Sequence, residues 1–194
     1  MGFWNDFSFW FVFGCRHIIN INAWDHLSIL MLLVLNTQKI QTILLQISAF
    51  TIGHALSLTA FLILKFKIPS CLIEWLIGMT LVGYSFTIVF KIKCLKTYKY
   101  HYILIIGFGL CHGLGFIQPI QLLLSSQSLW STILGFNFGV ELAQLVVSCL
   151  FFLFYLLLYT LCNHRVYTIL GYSISLSIGI FALLVSLQRL FVCF

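Results

Sequence analysis

Apolar residues fill this chain in long uninterrupted runs, without the short alternations of a sheet or the one-sided stripes of a soluble helix. Their lengths, read against the punctuation of lysines, prolines and polar clusters, predict six spans at about 9–35, 40–64, 69–90, 101–124, 130–160 and 166–192. Each reaches the roughly 20 residues that carry a helix across a bilayer. The first run is interrupted by "RHIININAWDH", so a short or broken helix is expected before a second apolar piece. Pro69 follows the connector at 65–68 and suits the first turn of a helix. The two-residue alternation of a transmembrane barrel is missing. The expected fold is all-α: a polytopic helical membrane protein of about six transmembrane helices with a broken first helix, forming a single transmembrane domain over 1–194.

Composition sharpens this picture. Of 194 residues, 62% are hydrophobic and only 7% charged, against roughly 25% charged in a soluble domain. The net charge of +6 does not point to nucleic acid, because the lysines gather at the ends of apolar runs. The first, third and fifth connections hold Lys39, then Lys91, Lys93, Lys96 and Lys99, then Arg165, while the second holds Lys65 and Lys67 and the fourth no basic residue. The positive-inside rule then places the lysine-rich odd connections in the cytoplasm and both termini outside. No basic residue precedes Arg16 and no small-residue cleavage site follows the first apolar run, so a removable signal peptide is not expected. The seven cysteines, Cys15, Cys71, Cys94, Cys111, Cys149, Cys162 and Cys193, form no CxxC pair and are odd in number. Neither a disulfide framework nor a zinc ribbon is expected, and the cysteines read as small apolar packing residues.

Candidate chemistry lies in the polar residues that these runs retain. Three of the four carboxylates, Asp25, Glu74 and Glu141, fall inside predicted spans, where ionisation costs at least about 2.5 kcal/mol on the gentlest scale. His17, His26, His54 and His112 lie within or beside the same spans, with His101 and His164 at expected membrane edges. Imidazoles and carboxylates together make an N/O ligand set for a metal ion. In "HIININAWDHL", Asp25 and His26 diverge by about 100° on a continuous helix, whereas a break near Asn20 and Asn22 lets both converge with His17; a solvated helix end capped by Asp25 is the plainer alternative. In "FTIGHALSLTA", His54 and Ser57 share a helix face and suit either ligation or a bond to a neighbouring helix. "GFGLCHGLGF" sets His112 among Gly107, Gly109, Gly113 and Gly115, which permit close helix approach or a broken helix; helix packing accounts for the glycines but not the histidine. In "FNFGVELAQL", Asn137, Glu141 and Gln144 fall on one narrow stripe that either supports a cation or joins helices. Glu74, in "CLIEWLIG", lies nearer a span end.

Taken in order, "HIININAWDHL", "AFTIGHALSLTA", "LIEWLIGMTL", "GFGLCHGLGF" and "FNFGVELAQL" resemble the HupE/UreJ family of hydrogenase and urease accessory membrane proteins, over roughly residues 14–147. The resemblance implies a bacterial inner-membrane permease for nickel, and for other divalent ions, that supplies metalloenzyme assembly. It carries the family's histidine-aspartate motif onto His17, Asp25 and His26, its second-span histidine onto His54, its HG-rich motif onto His112 and its late glutamate onto Glu141. Two departures stand out. The family places five residues between its first histidine and the Asp-His pair, and here seven separate His17 from Asp25; its fourth-span motif has a further histidine and a glutamate that "CHGLGF" lacks.

The expectation is therefore a permease that binds one divalent transition metal ion (nickel first, cobalt or zinc also compatible) among Asp25, His26, His54, His112, Glu141 and His17, supported by Ser57, Asn137, Gln144 and Glu74. Its partners are the metal ion as substrate and the lipid bilayer, with an oligomer or metalloenzyme-assembly partners left open and nucleic acid excluded. Three other readings stay open. One is a membrane-embedded zinc hydrolase using His54, Ser57, Asp25 and His112 with Glu141 activating water, although no HExxH is present. Another is a haem protein with paired axial histidines, and the third is a structural or assembly subunit.

Overall fold

The computed structural model describes residues 2–20, 23–37, 39–64, 68–91, 98–116, 120 and 128–193. Seven helices occur among them: α1 (Phe3–Ile19), α2 (Trp24–Asn36), α3 (Ile40–Leu64), α4 (Ser70–Val89), α5 (Tyr98–Leu114), α6 (Leu129–Leu161) and α7 (His164–Cys193). Helices α3, α4, α6 and α7 are each long and apolar enough to cross a membrane, and α1 with α2 makes a fifth span if the two are taken as one bent by 73°. Helix α5 is apolar but shorter, so four or five helices of spanning length stand close to the six expected. The break between α1 and α2 falls at "NINA", of which residues 21–22 lie outside the described residues; asparagine is a weak former of helix interiors.

The fourth span differs from its expected bounds of 101–124. Helix α5 ends at Leu114, and the Gly115 amide turns back to the His112 carbonyl at 3.1 Å. Glycine is a poor helix former, and Pro119 shortly after lacks the N–H that a helix interior needs, so the sequence here favours a stop. Of the remainder of that expected span, 117–119 and 121–124 lie outside the described residues. Helix α6, at 33 residues, is about 50 Å long, more than the roughly 30 Å of a hydrocarbon core.

The helices pack most extensively as three pairs, α1 with α6, α3 with α5, and α4 with α7. The first pair runs parallel, since Gly135 of α6 meets the Phe7 backbone and Gly139 meets Phe11. Gly139 is required there: a Cβ would collide with the Phe11 carbonyl oxygen. The second pair is also parallel, with Gly109 lying against the Phe50 carbonyl and Gly113 against His54 and Ser57. Both α5 and α6 thus use a GxxxG spacing (109–113 and 135–139) for backbone-to-backbone approach. The third pair is antiparallel: Gly78 faces Ser186, and the Ser85 hydroxyl donates to the Ser175 carbonyl. Helix α2 touches all three pairs.

Polarity is distributed as a bilayer solvent demands. Leu45, Leu56, Leu150, Leu153 and Phe181 are exposed on the outer surface, while His26, His54, His112, Gln46, Asn137 and Gln144 are buried. Exposed leucines on this scale would aggregate in water but match lipid tails.

The cysteine expectation is corrected by the structure. Cys71, at the start of α4, is disulfide-bonded to Cys193, at the end of α7, with Cα atoms 5.8 Å apart. The two are 122 residues apart in sequence, and only the antiparallel pairing of α4 with α7 brings those ends together, so spacing along the chain carried no sign of it. Cys15, Cys111, Cys149 and Cys162 are free and half-buried; Cys94 lies outside the described residues. The disulfide marks one face of the bundle. Asn36, Thr37, Lys91, His101 and His164, which flank the first, third and fifth connections, gather around a cavity at the other.

Candidate metal centre

The centre forms where the broken first span meets α3 and α5. His17 projects from the last turn of α1 and His26 from the first turn of α2. The break between them brings their rings to 4.7 Å centroid to centroid, which a continuous helix could not do for residues nine apart. His54 of α3 lies 6.3 Å from His26 and 6.4 Å from His17, and His112 of α5 lies 5.2 Å from His26. One ring nitrogen from each of His17, His26 and His54 lies within 4.8 Å of the others. A tetrahedral ion with bonds of 2.0–2.1 Å holds its nitrogens roughly 3.3 Å apart, so modest side-chain rotation closes the set around an ion.

The hydrogen bonds behind these rings fix which nitrogen each presents. Asp25 accepts the His26 Nδ1–H at 3.0 Å and the His26 backbone amide at 2.8 Å. The Phe108 carbonyl accepts the His112 Nδ1–H at 2.8 Å. Asn137 Oδ1 faces His54 Nδ1 at 3.5 Å, held in that orientation because Asn137 Nδ2 donates to the Ile133 carbonyl at 2.8 Å. Nδ1 protonation leaves Nε2 as the lone-pair nitrogen in all three. The Nε2 atoms of His17, His26, His54 and His112 are all buried without a hydrogen-bond partner. Leaving one such group unsatisfied costs about 1–3 kcal/mol. Four such atoms belong to this cluster of rings, and those of His17, His26 and His54 are on the residues close enough to share an ion.

Around the rings stands an apolar wall. Phe116 lies 4.0 Å from His17, Phe50 5.0 Å from His112 and Phe136 6.0 Å from His54. This shell keeps water from competing for the lone pairs and lowers the local dielectric. A cavity of about 250 Å³, lined by His17, Asp25, His26, Glu74, His112 and Arg189 among others, leads from the centre towards the disulfide face.

Not all the sequence candidates meet here. Asp25 does not diverge from His26 but clamps it, so it orients the His26 ring. Glu141 lies a turn beyond Asn137 and accepts a hydrogen bond from Ser48 at 3.0 Å, while Gln144 accepts one from Thr51 at 3.0 Å. The stripe of Asn137, Glu141 and Gln144 therefore joins α6 to α3, and Asn137 alone touches a histidine of the centre. Ser57 donates to the His54 carbonyl at 3.1 Å and packs on Gly113, pointing its hydroxyl at backbone. Glu74 pairs with Arg189 at 3.1 Å, in the mouth of the cavity.

Arg189 escaped the sequence reading. It also donates to the Glu74 carbonyl at 3.3 Å and lies over the Trp24 ring at 5.7 Å. The one available signal was that Glu74 and Arg189 are opposite charges each near the end of an apolar span. Asp6 was missed too: it is buried in α1, and its Oδ2 accepts the Ser128 amide at 3.4 Å, fastening the start of α1 to that of α6. Its position ahead of the expected first span, which in fact begins at Phe3, hid it.

The family model for HupE / UreJ protein matches residues 2–189, well beyond the 14–147 over which the five segments carry the resemblance. No curated protein and no solved structure matches.

Proposed function

Because this chain belongs to the HupE/UreJ family and is a multi-pass helical membrane protein, we propose that it is a permease for a divalent transition metal, with nickel as the first candidate and cobalt or zinc as alternatives. The observation that supports the reading is a cluster of four buried Nε2 atoms with no partner: His17, His26 and His54 offer nitrogens within 4.8 Å of one another, His112 packs against His26, and three of the rings have Nδ1 already held. His17, His26, His54 and His112 are the ligands in this reading. Asp25, through His26, supplies the compensating negative charge that a dication needs in a low dielectric. Glu141 supports α3 against α6 one turn away.

Borderline-soft imidazole suits nickel, cobalt and zinc alike, so ligand type does not choose among them. In orientation, we place the odd connections in the cytoplasm of a bacterial inner membrane and the disulfide face outside, the side on which a disulfide persists. The 250 Å³ cavity is then the outer approach to the site.

The test is the metal content of the detergent-purified protein after equilibration with mixed Ni²⁺, Co²⁺ and Zn²⁺, read by mass spectrometry beside Ni²⁺ uptake into proteoliposomes. One exchangeable ion per chain together with uptake is the expected result. Absence of specific metal would overturn the reading. A non-exchangeable zinc with lipid or peptide cleavage would replace it with hydrolysis, which the placements of Ser57 and Glu141 do not favour.

The Glu74–Arg189 pair sets how readily an ion reaches the site. A lone guanidinium in the mouth repels a dication, and the partner carboxylate cancels it. Glu74→Gln is therefore expected to slow Co²⁺ association about three- to ten-fold, and Arg189→Gln to speed it by a similar factor. Stopped-flow Co²⁺ absorbance at low and high salt checks this, since both effects shrink as salt rises.

A further inference from the structure

A second polar cluster lies at the far end of the same helix pair. The cavity on the face opposite the disulfide has a volume of about 500 Å³, and Asn36 of α2, Gln46 of α3 and His101 of α5 line it. His101 Nε2 lies 2.6 Å from the Gln46 amide nitrogen and 3.5 Å from that of Asn36. Gln46 is only 1% exposed, and its Oε1 is buried with no partner. In this arrangement the Gln46 amide N–H donates to His101 Nε2, and the carbonyl oxygen of the same amide is the buried acceptor left over.

The spacing links this cluster to the histidine centre. On α3, Gln46, Phe50 and His54 recur at four-residue intervals and share a face; on α5, His101, Ile105, Phe108 and His112 form the matching stripe. Each stripe reads ligand, apolar barrier, ligand. Phe50 is fully buried between the ends, its ring 5.0 Å from that of His112. At 1.5 Å per residue the two ends stand roughly 12–17 Å apart.

Resting on the permease reading, we propose that His101, Gln46 and Asn36 form a second, weaker station for the same divalent transition metal, separated from the histidine centre by Phe50. A half-turn of the Gln46 amide swaps its nitrogen for Oε1 beside His101, and a side-chain shift that widens the 2.6 Å separation to the roughly 3.3 Å of neighbouring ligands lets the two share one ion. No carboxylate lines this cavity among the described residues, and Lys91 does. A neutral ligand set beside a positive charge binds weakly, which a release station requires, because an ion held too well never leaves.

The test is a titration of the full chain in detergent with Co²⁺, followed by its ligand-field absorption, beside Ni²⁺ uptake into proteoliposomes. Wild type is expected to show a tight event and one at least tenfold weaker. His101→Ala should abolish only the weak event and slow uptake at least fivefold, whereas Gln46→Glu should tighten the weak event about tenfold and also slow uptake. The Gln46→Glu arm keeps the test decisive if His101→Ala misfolds. A single event in the wild type, or a weak event untouched by both substitutions, would overturn the station. Should the tight event be missing while a His101-dependent one persists, the station stands as a cation site and the permease reading falls.

Discussion

His26→Ala is expected to empty the metal centre, with binding weakened more than a hundredfold and uptake reduced to background. His26 is the hub: its ring lies 4.7 Å from that of His17 and 5.2 Å from that of His112, and it alone of the histidines bonds the Asp25 carboxylate. Removing it takes away one ligand, the charge-bearing link to Asp25 and the central wall of the cluster together. Outer partners give a graded series against which this can be read. Asp25→Asn keeps a hydrogen-bond acceptor but loses the charge, and Asn137→Ala frees the His54 ring; changes of this kind cost about 10- to 100-fold in metal affinity. Glu141→Gln should fall below both, since its carboxylate meets Ser48 and not a histidine. Competition titrations with a chelator of known affinity rank the four variants. If Glu141→Gln proves as damaging as His26→Ala, the glutamate is a ligand and the four-histidine assignment is wrong.

The second large effect is structural. Gly139→Val should fail to assemble, or unfold many degrees below wild type, because its side chain must occupy the space of the Phe11 carbonyl, an atom of helix backbone that cannot swing aside. Overpacking a well-fitted interface costs about 1–3 kcal/mol, and here the cost is at the high end because α1 and α6 must separate as whole helices. Gly109→Val meets the Phe50 carbonyl in the same way. Gly107→Ala is the control: it belongs to the same glycine-rich segment, but a Cβ there meets nothing within 4 Å. Replacing that glycine should leave stability unchanged or raise it by up to about 1 kcal/mol through helix propensity. Thermal unfolding in detergent, followed by tryptophan fluorescence, separates the two classes.

Much of this fold could be read from the chain because a bilayer imposes a simple rule: backbone polar groups must be satisfied within the segment, so apolar length reports the helices. The break in the first span was visible in "NINA", and the polar residues in the apolar runs marked the centre's neighbourhood. What stayed hidden depends on partners distant in sequence. The direction of Glu141 towards Ser48, the Glu74–Arg189 pair and the Cys71–Cys193 bond are all set by which helices lie side by side. A periodicity argument gives the face of a helix but not its neighbour. The early end of α5 was the reverse case: the glycines of "CHGLGF" allowed a break in the helix, but the apolar residues that followed outweighed them.

The paired packing of the helices bears on motion. His17 rides on one tightly meshed pair, α1 with α6; His54 and His112 ride on another, α3 with α5; and the third, α4 with α7, supplies the residues at the mouth. The centre thus draws its donors from blocks whose interiors are stiff and whose mutual seams are thinner. On the permease reading proposed above, an ion bound there would act as a rivet through separate plates, and its departure would free them to slide.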